Sequence, residues 1–133
     1  MRAADPFAAF LGIELVEVGP GFARARMAVT AEMANAHGTT HGGAIFSLAD
    51  AAFAAASNSH GVPAVALDMH ISYLRKSAPG DVLVATAREE NLTRRTGLYR
   101  IVVENQRQEA VAIAAGLVYR LAGETGPREA APR

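Results

Sequence analysis

The 133-residue chain contains no cysteine. A disulfide scaffold and a thiolate metal site are therefore both excluded, and the redox compartment stays open. An excess of either charge is also missing, since 13 basic and 13 acidic side chains give a formal net charge of zero. A nucleic-acid binder needs a basic face, so that class is set aside. Met1-Arg2-Ala3-Ala4-Asp5 offers no apolar h-region, and no signal peptide is expected. The longest apolar run is broken by Asp50 and by serines, and is too short to span a bilayer. The expectation is one soluble, cytoplasmic domain over 1–122, long enough to bury a core. The tail at 123–133, with its Gly, Pro and charges, is expected to be disordered.

What is present is half apolar and falls into short periodic blocks. Asp5-Pro6 reads as a helix start, with Asp as the cap and Pro at the first helical position. Phe7, Phe10 and Leu11 then form an apolar face, read as a short lid packed on the core, and Gly12 ends it. Segments 13–18 and 22–29 flank the turn Gly19-Pro20-Gly21, predicting a hairpin with Arg24 and Arg26 on a solvated face. Segment 64–76 alternates Val65, Leu67, Met69, Ile71 and Tyr73 against Ala66, Asp68, His70 and Ser72. Further strands are expected over 82–88, 98–105 and 111–121, with turns at Pro79-Gly80-Asp81, at 91–95 and at Arg107-Gln108-Glu109. One long apolar helix followed by a four-strand meander is an α+β architecture, with the helix on one face of the sheet.

The central stretch carries the chemistry. Asn35-Ala36-His37-Gly38-Thr39-Thr40-His41-Gly42-Gly43 runs directly into a helix over 44–59 that is apolar nearly all round. Between Gly42 and Ser57 only Asp50 is charged. A lone carboxylate is costly to bury, so Asp50 is either functional or held by a turn or an Arg. Gly42 and Gly43 stand where the first amides of a helix lack partners and carry the positive end of its dipole. Glycine there admits a substrate oxygen, and such an N–H polarises a carbonyl and stabilises an oxyanion. The plainer reading is a tight loop-to-helix turn. Asp50 stands about 12 Å further along the axis, out of reach of a carbonyl held by its own Gly42. If both act on one carbonyl, an antiparallel helix of a second subunit must supply the other half. A helix apolar all round also needs cover on a second side.

His37 and His41 have the i, i+4 spacing of a metal pair. Gly38, Thr39 and Thr40 between them suit a loop, and no second carboxylate is adjacent, so no metal is expected. His41 is read instead as orienting the helix start. Asn35 is either a turn residue or a group that positions a substrate or an attacking water. Thr93-Arg94-Arg95-Thr96 sets two guanidinium groups on a hairpin turn, suited to phosphate or simply solvated. Arg75 and Lys76 offer a second cationic spot.

His41-Gly42-Gly43-Ala44-Ile45-Phe46-Ser47-Leu48-Ala49-Asp50, preceded by Asn35, resembles the hotdog-fold acyl-CoA thioesterases, more narrowly their phenylacetate-degradation branch. Asp68-Met69-His70-Ile71-Ser72-Tyr73-Leu74-Arg75 and Thr93-Arg94-Arg95-Thr96 are similar to that family's strand and hairpin-turn motifs. The likeness runs from about Asp5 to Leu121. It implies a hotdog fold, a curved antiparallel sheet wrapped around one long helix. It implies homodimers with a continuous sheet and shared active sites, assembled as a dimer of dimers. The implied reaction is hydrolysis of acyl-CoA thioesters of the aryl-acetyl kind, with no cofactor apart from the CoA of the substrate. Gly42 would polarise the carbonyl while Asp50 of the neighbouring subunit acts as general base or nucleophile, with Asn35 and His41 in support. CoA phosphates would lie near Thr93, Arg94 and Arg95, with Arg75 a further contact. Gly43, Phe46 and Phe53 would meet the substrate, the two Phe as walls of an acyl pocket. One departure stands out: some relatives carry Ser or Thr on the strand after the helix, where this chain has Ala66. A non-catalytic acyl-CoA binding module on the same fold is the alternative.

Overall fold

The computed structural model describes residues 5–121; the expected tail at 123–133 lies outside them. Asp5 caps α1 (Pro6–Phe10) by accepting the Phe7 N–H at 2.9 Å, with Pro6 in the first turn. Gly12, at φ +74°, takes the left-handed conformation that ends it. The lid differs from expectation in one respect. Only Ala8 of α1 is buried, while Phe7 and Phe10 are 58% and 83% exposed. Five residues make little more than one helical turn, and the segment is anchored through Ala8, Leu11 and Ile13 instead.

β1 (Glu14–Gly19) and β2 (Phe22–Ala28) form the expected hairpin. Arg24 and Arg26 lie on its outer face and pair with Glu17 and Glu14. There follow α2 (Gly42–Ser57), β3 (Ala64–Tyr73), β4 (Val82–Leu92), β5 (Thr96–Glu104) and β6 (Ala110–Arg120). β4 runs through Asn91 and Leu92 with a register shift after Glu89, so the turn is tighter than expected and begins at Thr93. Among the described residues no helix is long and apolar enough to cross a membrane.

The six strands form one antiparallel sheet in the order β1-β2-β4-β5-β6-β3. This corrects the meander: β3 pairs with β6 rather than β4 and takes the far edge. Period-two alternation says which face a residue occupies, not which strand lies beside it. β2 and β3 are four strand spacings apart, about 19 Å, and the segment containing α2, about 24 Å long, makes that crossing. The uniform apolar face expected on β3 is also corrected. A register shift falls at Leu67, Val65 and Leu67 are more than half exposed, and only Met69 and Ile71 reach the core.

α2 buries Ile45, Leu48, Ala49, Ala52, Phe53 and Ala56 against the concave face of the sheet. There Ala23, Ala25, Ala85 and Ala87 are fully buried on β2 and β4, and such small side chains let helix and sheet approach closely. Phe53 is seated over Gly116, where an added Cβ would come within 2.6 Å of its ring. Its ring meets that of Tyr99 edge-on at 5.9 Å.

Candidate active site

The loop before α2 is built to present the first turn of the helix. Asn35 Oδ1 accepts the N–H groups of His37 and Thr39, and its Nδ2 donates to Thr39 Oγ1. Both ends of the amide bond within the loop, and Nδ2 keeps one of its two donors free among the described residues. Thr40 N–H donates to the Ser77 carbonyl at 2.8 Å, while Ser77 Oγ donates to Thr40 Oγ1, both side chains being buried. His41 N–H donates to the Met33 carbonyl at 2.7 Å. The loop is therefore held from both flanks before α2 begins.

His41 caps α2. Its Nδ1 accepts the Gly43 N–H at 2.9 Å, and its carbonyl accepts from Ala44 and Ile45 at 3.0 and 3.4 Å. An accepting Nδ1 leaves a neutral ring's proton on Nε2. With the His41 N–H held by Met33, three of the four unpaired amides that open a helix, those of His41, Gly43 and Ala44, are satisfied. Among the described residues the Gly42 N–H has no acceptor, so it alone remains for a ligand oxygen. Gly43 differs from expectation here, because its amide is already taken by His41.

Gly42 lines an open cavity of about 400 Å³ together with Thr39, Tyr73, Arg75 and Lys76. The Tyr73 hydroxyl donates to the Gly42 carbonyl at 3.0 Å. A Cβ at Gly42 would come within 3.2 Å of that ring, a second reason for glycine besides access to the amide. Partial burial raises the Tyr73 phenol above its ordinary value. Sequence reasoning placed Tyr73 only on a strand face. The 31-residue separation between partners left no local signal of this contact.

Asp50 is half-buried on the outward side of α2. Eight residues separate it from Gly42, about 12 Å along the axis and about 80° around it. Its carboxylate makes no hydrogen bond or ion pair with the described residues, so neither an Arg nor a turn holds it. Burial, and secondarily the Asp5 carboxylate, push its pKa above the ordinary value. With Asp5, Ala8, Leu15, Ala51, Ala54 and Ala55 it lines a small apolar cavity of about 220 Å³. Asp50 and Gly42 of one chain thus open onto separate cavities.

The remaining expected site residues divide. Arg75 reaches the Gly42 cavity, with Glu109 4.0 Å from its guanidinium. Phe46 is half-buried on α2. Phe53 does not line an accessible pocket. It is 1% exposed and belongs to the core, because its position on α2 faces the sheet. Thr93 Oγ1 accepts from the N–H groups of Arg95 and Thr96 and shapes the turn, while Arg95 donates to the Tyr119 hydroxyl. Arg94 is exposed and makes no ion pair with the described residues. Tyr73 pairs with Ala112 and Gly97 pairs with Val118. The Arg120 N–H donates to the Arg95 carbonyl, so the Arg94–Arg95 turn is eight residues of β6 away from the Gly42 end, about 27 Å. No group of three or more His, Asp or Glu placed to hold a metal exists among the described residues.

A family model described as the thioesterase superfamily matches residues 37–112. The chain is 45% identical over 123 residues to the acyl-coenzyme A thioesterase PaaI of Escherichia coli (strain K12), covering 92% of this chain and 88% of that one. The solved structure of a mutant phenylacetic acid degradation protein PaaI from Thermus thermophilus superposes with a TM-score of 0.85 at 44% identity. It covers 88% of this chain and all of that one. The structure of smu.793 from Streptococcus mutans UA159 bound to acetyl CoA gives a TM-score of 0.79 at 28% identity, covering 90% and 92% of the two chains.

Proposed function

The chain belongs to the thioesterase superfamily and has the hotdog fold, and from that premise we propose that it hydrolyses acyl-CoA thioesters, aryl-acetyl-CoA esters such as phenylacetyl-CoA first among them. The observation that carries the reading is the pair on α2. One unpartnered amide sits at the helix N-terminus, and one unpartnered, desolvated carboxylate follows eight residues later. The thioester carbonyl accepts from the Gly42 N–H, and charge developing on its oxygen is stabilised there. The Asp50 carboxylate of a second subunit either removes a proton from the attacking water or attacks the carbonyl itself. Collapse of the tetrahedral intermediate then releases the CoA thiolate, and where Asp50 is the nucleophile, water cleaves the acyl-aspartyl anhydride left behind to free acid and carboxylate. No metal or redox cofactor is required by these steps.

The second subunit follows from distance and topology. A carbonyl within hydrogen-bond reach of Gly42 is some 12 Å from the Asp50 of the same chain. β3 is a sheet edge bearing exposed Val65 and Leu67, a surface that pairing covers. Antiparallel pairing of two β3 edges about a two-fold axis sets the Ala64 end of one strand beside the Tyr73 end of the other. The same operation carries the Arg94–Arg95 turn of one subunit towards the Gly42 end of its neighbour. That supports CoA lying along the groove with its phosphates at those guanidinium groups and at Arg75. PaaI of E. coli is named an acyl-coenzyme A thioesterase, which supports the same substrate class here.

The test is a panel of acyl-CoA esters with detection of free thiol, run on chain mixtures. Gly42→Pro deletes the donor at a position where the first helical turn tolerates proline, and its Cβ displaces the Tyr73 ring, 3.2 Å away, by a few tenths of an ångström. Neither Gly42→Pro nor Asp50→Ala alone should turn over substrate appreciably. A mixed dimer regains one intact site of its two, so activity should return on mixing. No recovery in verified mixed dimers places the whole site in one chain. CoA-ester binding without hydrolysis across the panel makes the protein a binding module.

A further inference from the structure

The proposed oxyanion donor sits on the residue type with the most backbone freedom, and a preorganised donor has to be held still. His41 fixes the amides that follow Gly42 but not Gly42 itself. Tyr73 supplies what is missing. Its hydroxyl holds the Gly42 carbonyl at 3.0 Å and its ring packs where a Cβ would be at 3.2 Å, so the glycine is gripped at two points. Tyr73 itself is tied down by the sheet. It pairs with Ala112, and the backbone amides of Leu74 and Arg75 next to it both donate to the Val111 carbonyl. The grip thus runs from β6 through the end of β3 to the first residue of α2.

We propose that Tyr73 is a positioning residue for thioester hydrolysis, acting through Gly42 to aim its free N–H at the substrate carbonyl. This rests on the reading of Gly42 as the oxyanion donor. A residue that aims a donor affects the transition state, where the oxygen charge develops, more than the bound ground state. Its removal belongs in kcat rather than KM. Loss of a whole oxyanion donor costs roughly 10²–10³ in rate, and a donor that is present but loosely held should cost less, about tenfold.

Tyr73→Phe isolates the hydroxyl, because it keeps the ring on a side chain already 51% exposed at the end of an edge strand. The expected result is kcat lower by about tenfold, KM within twofold, and a shifted or broadened Gly42 amide resonance in protein labelled with ¹⁵N-glycine. Tyr73→Leu, which removes ring and hydroxyl together, should lower kcat further. Unchanged kcat in Tyr73→Phe overturns the proposal, whatever Tyr73→Leu does. So does a loss confined to KM with the Gly42 resonance unmoved, since Tyr73 would then be a substrate contact. Asp50→Ala is assayed alongside. If it is inactive while Tyr73→Phe is normal, only the positioning role fails. If Asp50→Ala turns over normally, the assignment of the active site fails, and the Gly42 resonance still reports whether Tyr73 holds the glycine.

Discussion

The two sides of α2 obey different rules. Its sheet-facing side carries Ile45, Leu48, Ala49, Ala52, Phe53 and Ala56, all nearly inaccessible and fitted to small residues and Gly116 on the strands. Its outward side carries Gly43, Ser47, Asp50 and Ala54, small or polar, partly open and thinly covered by α1. The first side is packed as tightly as an interior needs to be, and its residues answer to volume. The second leaves a carboxylate without a partner on a helix that gains nothing in stability from it. One helix therefore holds the fold with one side and leaves the other open for the proposed chemistry.

That contrast can be broken most directly at Asp50. Asp50→Ala should lower kcat by roughly 10²–10⁴, the worth of a general base, and leave the melting temperature unchanged or higher. Turnover near that of the parent protein would remove Asp50 from the mechanism. On the other side, Phe53→Ala should cost about 3–5 kcal/mol in unfolding free energy, read from denaturant midpoints. A near-neutral result would mean that the Phe53–Gly116–Tyr99 cluster is not the core contact it resembles.

A smaller effect sharpens the comparison through pH. A carboxyl whose pKa is raised on folding binds its proton more tightly in the folded state. Stability therefore falls as pH rises from the unfolded value, about 3.9, through the folded one. Asp50→Asn should melt higher than the parent at pH 7, and the gap should close as the solution is acidified below the ordinary carboxylate range. A gap independent of pH would mean that burial of Asp50 is not what separates the two proteins. The acid limb of the kcat profile should likewise lie above that of an ordinary Asp. Smallest is Arg94→Ala with Arg95→Ala, far from either side of the helix. KM for acyl-CoA should rise about tenfold, the order of one lost charge-assisted contact, with kcat little changed. An unaltered KM would end the phosphate role of that turn.

Much of this was legible in the residues. The cap and proline of α1, the Gly-Pro-Gly hairpin, the start of α2 at Gly42 and the lone Asp50 are local features, and local features act within a turn or two of chain. Legibility failed wherever the answer depended on a distant strand. Phe53 reads as a pocket wall until Gly116, 63 residues on, is seen to make room for it. Tyr73 reads as one more alternating strand residue until its hydroxyl meets Gly42. Phe7 and Phe10 read as packing residues, and a helix of one turn turned them outward.

By itself the amino-acid order determined the element types and the distance between Gly42 and Asp50, because helix rise and strand alternation are properties of the backbone. Which strands become neighbours was decided only in three dimensions, since alternation carries no partner label and the segment containing α2 was free to deliver β3 to either edge. The sheet order in turn decided that β3 is an edge strand and that Tyr73 meets Gly42. It also decided that the Arg94–Arg95 turn lies about 27 Å along the sheet from the Gly42 end of its own chain. The free Gly42 amide is likewise a tertiary result, because it depends on His41 satisfying its three neighbours and leaving the first.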